Sequence, residues 1–333
     1  MTRNRTRRLR AATLLAVAGL LVAACGGTKV NAGSSAAASG GSHKPCGTTN
    51  IAVNPWTGYE ADYAVVAYVL KNSLGCTVKA SNINEQTSWQ GFGNGQIDVI
   101  LENWGHEDLA KIYITNQKVA EDFGSQGNQG IIGWYVPKWM SDQYPDITDW
   151  HNLNKYSSMF KTAESGSKGQ LLDGDPSYVT NDKALVKNLN LNYTVVVGGS
   201  EATLIKSLQT ATDQKKPLLF YFYEPQWAAS VKPAGSQLGI TRINLPAYTT
   251  GCDADAAKVA CDYPPYALNK VVRVKWADSG DPAVTVVKNF TWTNDDQNQV
   301  SAYIASDGMT DDAAAKKWVD ANPDKVKAWL QGT

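Results

Sequence analysis

Histidine is scarce in this 333-residue chain: only His43, His106 and His151 occur. The patterns GxSxG, HExxH and the nucleotide-binding P-loop are also absent, which removes the common Ser–His, zinc-protease and nucleotide-hydrolysis chemistries. Gly91, Gly93 and Gly95 superficially resemble a phosphate loop, but they precede a strand and offer no helix N-terminus. Asp173 and Asp175 hint at a calcium loop, yet Pro176 interrupts its ligand spacing. No enzyme, cofactor or metal is therefore expected. Phenylalanine is sparse too, with 6 residues against 11 Trp and 15 Tyr. Rings with a polar handle dominate, which suits a partly wet cavity. A basic stripe is missing, and with it a nucleic-acid partner.

What is present begins with a leader. Arg3, Arg5, Arg7, Arg8 and Arg10 precede an apolar run over 11–24, and Val22-Ala23-Ala24 leads into Cys25. Small residues ahead of a cleavage point mark a secretory signal over 1–24. The cysteine directly after it resembles the bacterial lipobox, which implies a mature chain beginning at a lipid-bearing Cys25 and anchored to the extracytoplasmic face of the membrane. Residues 25–44 are Gly, Ser and Ala with little to bury, so they read as a flexible tether. Loss of the leader's arginines leaves 26 basic against 31 acidic side chains, a net charge of −5. No second hydrophobic segment approaches spanning length.

Four cysteines remain in this exported chain, an even count that reads as two disulfides. Cys46 sits just before a first strand and Cys76 opens a second, so neighbouring parallel strands would join them. Cys252 and Cys261 bracket one short loop. A zinc site lacks both a CxxC pair and a nearby histidine.

Strand 51–53, helix 59–74, strand 76–81, helix 85–92 and strand 97–101 follow one another within about fifty residues, the rhythm of a parallel α/β sheet. A helix over 107–114 and a Gly/Gln/Asn loop lead to a strand at 131–136. Residues 149–160 and 181–189 read as helices, 193–197 as a strand, 200–210 as a helix, and 217–223 and 240–245 as strands. The C-terminal third reads as mostly helical, with a Thr293/Asp296 capping box, Thr310 as a cap and Pro323 in a last first turn.

Aromatics recur where these strands end: Trp56, Trp104, Trp134 (or Tyr135) and Tyr223. Several ring faces around one point make a cage for a quaternary ammonium group, which has no N–H to donate. Glu102 and His106, on either side of Trp104, are read as structural.

NPWTGYE, GQIDVILENWGH, GWYVP, YFYEPQW and NFTWTNDDQ resemble, in order and spacing, the substrate-binding proteins of ABC importers for glycine betaine, choline and related solutes. The resemblance spans about 50–330. It implies a type II periplasmic-binding-protein fold: two α/β lobes, 45–135 with 243–333 and 136–242, joined by two crossing segments around a ligand cleft. It further implies a monomer that delivers a small quaternary ammonium ligand to an ABC permease. Trp56 and Trp104 match cage aromatics of the first lobe, Trp134 shares strand parity with a cage position, and Tyr223 falls where relatives often carry Trp. Asp173, Asp175 and Tyr178 match a stretch of polar contacts. Gln226 stands where many relatives have a histidine that donates to the betaine carboxylate. Gly58 stands where some choline binders carry an acid. The turn at Thr57-Gly58 offers backbone N–H groups to a ligand carboxylate. Betaine and choline both stay open, with carnitine, an amine oxide or proline betaine as alternatives. A surface adhesin or exported enzyme on the same scaffold would require an uncleaved apolar helix or a Ser/His pair.

Overall fold

Among the described residues nine strands form one mixed sheet, seen in a computed structural model that describes 45–178, 180–230 and 238–333. The leader, Cys25 and the tether 25–44 lie outside the described residues. Strand β1 (Thr48–Val53) pairs in parallel with β2 (Thr77–Asn82) and β3 (Val99–Asn103). The others are β4 (Ala120–Pro137), β5 (Gly169–Asp173), β6 (Tyr193–Val197), β7 (Phe220–Glu224), β8 (Ile240–Arg242) and β9 (Tyr266–Arg273). Their order is β2-β1-β3-β9-β4-β7-β5-β6, with β8 beside β4. Helices fill the connections, and no helix among the described residues is long and apolar enough to cross a membrane. This mixed α/β sheet is the architecture the resemblance implied.

The first 50 residues of the folded part follow the expected rhythm. Helix Thr57–Leu74 buries Ala61, Val65, Val66, Val69 and Leu70 against the sheet and closes at Gly75. Cys46–Cys76 and Cys252–Cys261 are both bonded as expected. The parallel β1–β2 register places Thr48 opposite Thr77, which brings the first cysteine pair together. The capping box is present as well, Thr293 and Asp296 each holding the other's backbone N–H.

Two segments differ from expectation. Residues 120–130, expected as a loop, are the first half of β4, an 18-residue strand. Gly124 (φ 80°) and Gly127 (φ 100°) take the left-handed conformation there. The register against β9 shifts between Asp122 and Ser125 and again before Gln129. Such bulges break the period-two alternation by which a strand is recognised. Strand β9 itself lies in a region expected to be helical. Its middle residue Lys270 is buried, donating to the carbonyls of Lys288 (2.9 Å) and Phe290 (2.6 Å). A lysine at a core position hides the apolar pattern. The expected helix over 149–160 is instead a chain of short turns: Trp150–Asn152, Leu153–Tyr156 and Ser157–Phe160. Asp149 and Asn154 spend their side chains on nearby backbone and on 190–192, competing with a continuous helix.

Candidate functional site

Aromatic side chains at several of the strand ends converge on a cavity of about 170 Å³. By the same measure one water needs about 10–15 Å³, so the space suits a small organic ion. Trp56, between β1 and helix Thr57–Leu74, and Trp104, just past β3, form one wall. Tyr178, after β5, and Tyr221 and Tyr223, on β7, form the other. Trp56 meets Tyr178 edge-on at 5.8 Å between ring centroids, and Trp104 meets Tyr223 at 5.7 Å and Tyr266 at 5.8 Å. Tyr223 and Tyr178 are 6.2 Å apart at 85°. Steep angles of this kind turn both faces and edges toward a shared space, where the faces attract a cation.

Glu102, fully buried on β3, fixes the tryptophan wall. Its Oε1 accepts the indole N–H of Trp56 at 2.9 Å and of Trp104 at 2.7 Å, and its Oε2 accepts the Gln297 amide at 2.7 Å. Asp62 lies beside it; burial, then the Glu102 charge, pushes the Asp62 carboxyl well above the usual range. Gly130 of β4 completes the seat: a Cβ there would fall 2.6 Å from the Trp104 ring.

The rim is acidic. Glu85 and Asp108 line the cavity with His106, whose Nε2 lies 2.9 Å from Glu85 Oε2. Burial pulls the imidazole's pKa down, but the hydrogen bond and charge of Glu85, helped by Asp108, leave it above its ordinary value. Glu85 Oε1 is buried without a hydrogen-bond partner. Among the described residues that line the cavity, none is Lys or Arg.

Behind the rings sits a second carboxylate, Glu201, the first residue of helix Glu201–Asp213. Its Oε2 accepts the Thr57 backbone N–H at 3.0 Å and the Thr57 hydroxyl at 2.7 Å. Its Oε1 accepts the Tyr223 hydroxyl at 2.6 Å and the Gln226 amide at 2.5 Å. Burial, then this charge, holds the Tyr223 phenol protonated well above its ordinary value.

The family model described as the substrate-binding domain of ABC-type glycine betaine transport systems matches residues 47–321. The chain belongs to this family. A trimethylamine N-oxide-binding protein from Pelagibacter ubique is 24% identical over 271 residues, covering 78% of this chain and 84% of that one. Among solved structures, lactococcal OpuAC in its closed form with glycine betaine matches with a TM-score of 0.64 at 19% identity, over 85% of this chain and 99% of that one. A choline-binding protein in complex with choline matches with a TM-score of 0.67 at 18% identity, over 86% and 93%. These likenesses establish the type II periplasmic-binding-protein fold. Members of the family bind small quaternary ammonium solutes outside the cytoplasm and work with ABC permease subunits, so this substrate-binding protein is not an enzyme.

In this substrate-binding protein four of the residues anticipated as ligand contacts line one cavity: Trp56, Trp104, Tyr178 and Tyr223. Trp134 does not. Its strand parity is the expected one, since Ile132 pairs with Tyr223 and Trp134 with Tyr221 on the same face. Two residues further along, however, that face is covered. Trp134 is fully buried and donates its indole N–H to Asp182 at 2.7 Å, and Asp182 also accepts the hydroxyl of Tyr263 at 2.6 Å. Tyr263 is the ring that reaches the cavity. Tyr135, the other reading of this segment, is buried in the core as well. Thr57 and Gln226 serve Glu201 instead of the cavity, and Gly58 packs against the Gln297 amide. Asp175 turns back to accept the Ser177 N–H. Asp173 is buried behind the wall, accepting from Thr180 at 2.7 Å.

Several lining residues escaped sequence reasoning. Tyr221 precedes Tyr223 by the strand period of two, a usable signal. Tyr266 opens the unrecognised β9, and Tyr263 follows the small disulfide loop. His106, read as structural, stands on the wall itself.

Proposed function

We propose that this protein captures a quaternary ammonium solute, glycine betaine or choline, in the aromatic cavity and delivers it to an ABC permease. The observation that carries the reading is the pair of indoles aligned on Glu102 and facing Tyr178 and Tyr223. At about 0.5–2 kcal/mol per ring, four rings and the buried methyl area approach the roughly 8 kcal/mol of micromolar binding. Glu85, with an oxygen lacking a partner, adds a counter-charge.

In this reading 45–135 with 243–333 form one lobe and 136–242 the other, and the ligand is held by hinge closure. Strand β4 supports a two-part division, because it pairs with β9 up to Gly130 and with β7 and β8 from Ile131, a few residues before the expected boundary. The working protein is a monomer, tethered through 25–44 to a lipid on Cys25. Carnitine, an amine oxide or proline betaine are the alternative ligands, and the relative that binds trimethylamine N-oxide keeps the amine oxide in view.

Titration of the purified protein by calorimetry and tryptophan fluorescence against choline, glycine betaine, carnitine, trimethylamine N-oxide and a panel of amino acids tests the reading. Binding of amino acids alone would sink it.

A further inference from the structure

We infer that Glu201 makes this site selective for methylammonium cations that carry no carboxylate. The inference rests on the quaternary ammonium reading above and narrows it.

Glu201 leaves its own helix to bridge two segments far apart in sequence, and it is buried at 6% exposure. It collects four donors: the Thr57 N–H and hydroxyl on one oxygen, the Tyr223 hydroxyl and the Gln226 amide on the other. These are the donors suited to a ligand's carboxylate. The Thr57 N–H opens an 18-residue helix, whose N-terminus carries partial positive charge and binds anions. Tyr223 belongs to the cavity wall, and its hydroxyl reaches the Glu201 carboxylate behind it.

The protein therefore supplies its own carboxylate to the anion pocket. A ligand carboxylate placed beside the cage would meet the Glu201 charge and donors already engaged. Turning the other way offers no relief: Glu85 and Asp108 repel it, His106 is paired with Glu85, and neither Lys nor Arg is among the described lining residues. Burying a carboxylate among like charges, with only neutral polar groups to meet it, is costly. A cation whose other end is a neutral hydroxyl avoids that cost, and Asn181 and Tyr266 supply neutral polar lining.

Choline and glycine betaine share the trimethylammonium head, so the ratio of their affinities isolates the other end of the ligand. Calorimetry on the purified protein is expected to find choline bound at least about tenfold more tightly, equivalent to about 1.4 kcal/mol. Glu201→Ala releases the four donors and should move the ratio toward betaine by about tenfold or more. Glu201→Gln keeps the bridge's shape without its charge, should move the ratio the same way, and decides the matter if the alanine variant does not fold. Betaine binding as tightly as choline to the unmodified protein overturns the inference and leaves the broader reading standing. Failure of both ligands to bind overturns the broader reading itself. A ratio unmoved in the folded variants removes Glu201 as its cause.

Discussion

Trp56 and Trp104 donate their indole N–H groups to the same oxygen, Oε1 of Glu102, at 2.9 and 2.7 Å. One carboxylate thereby sets the angle between the two rings of the tryptophan wall. Neutralising it with Glu102→Gln keeps the size but replaces a charged acceptor by a weaker one, and the introduced N–H₂ opposes the Gln297 amide. Affinity for choline should fall by at least about tenfold, or about 1.4 kcal/mol. Stability should fall by about 1–3 kcal/mol as buried donors lose partners. Calorimetry and thermal denaturation read the two effects separately; unchanged affinity would assign Glu102 to the fold alone.

Trp104→Ala removes one ring and should weaken binding at least about tenfold (about 1.4 kcal/mol). A subtler probe is Gly130→Ala. The new methyl would intrude on the Trp104 ring at 2.6 Å, and Leu268 lies 3.0 Å away. The ring must turn aside, so affinity should drop while near-ultraviolet circular dichroism reports the displaced indole. An alanine variant that binds normally would separate Trp104 from the ligand.

The His106–Glu85 pair predicts opposite pH trends for stability and binding. The raised imidazole pKa means that the pair stabilises the fold below the unfolded value of about 6.5. That contribution is lost as pH rises through the higher folded value. Binding of a cation runs the other way, since deprotonation removes a positive charge from the wall and leaves Glu85 and Asp108 uncompensated. Choline affinity should thus climb across the same interval in which the unliganded protein softens. Measurements from about pH 5 to 9, bracketing the histidine range, check both, and His106→Gln should flatten both. Parallel trends would contradict this account.

Trp134 should behave as a core residue. Trp134→Phe takes an N–H from Asp182, whose carboxyl burial and the neighbouring Asp173 already push up to about 8. A loss of about 1–3 kcal/mol in denaturant unfolding is expected. Choline affinity should change by less than about threefold, roughly 0.7 kcal/mol. A larger drop in affinity than in stability would return this ring to the cage.

The legible parts of the molecule were those where local pattern and tertiary role agree. The helix Thr57–Leu74, the strands beside it and both disulfides follow from apolar spacing and cysteine position. The first half of β4 was not legible, because two glycine bulges scramble its alternation, and β9 was masked by a lysine whose carbonyl partners lie on another segment. In the site, rings at strand ends announced themselves. Trp134 stands on the face that parity gives it, yet parity says nothing of what covers that face, and there it is covered. Glu201 was invisible for a different reason: an acid in a helix's first turn is commonplace, and only the fold brings Thr57, Tyr223 and Gln226 to it.

Strand β4 changes partners from β9 to β7 between Gly130 and Ile131, directly beneath the rings. Gly130 seats Trp104, and Ile132, opposite Tyr223, lines the floor. The gap between the tryptophan and tyrosine walls is therefore gauged along one covalent strand, as in a pair of calipers whose pivot is also the bottom of the jaw. A ligand's bulk is read at the point where the jaw turns, so a single methyl added on the strand's upper face is felt across the whole opening.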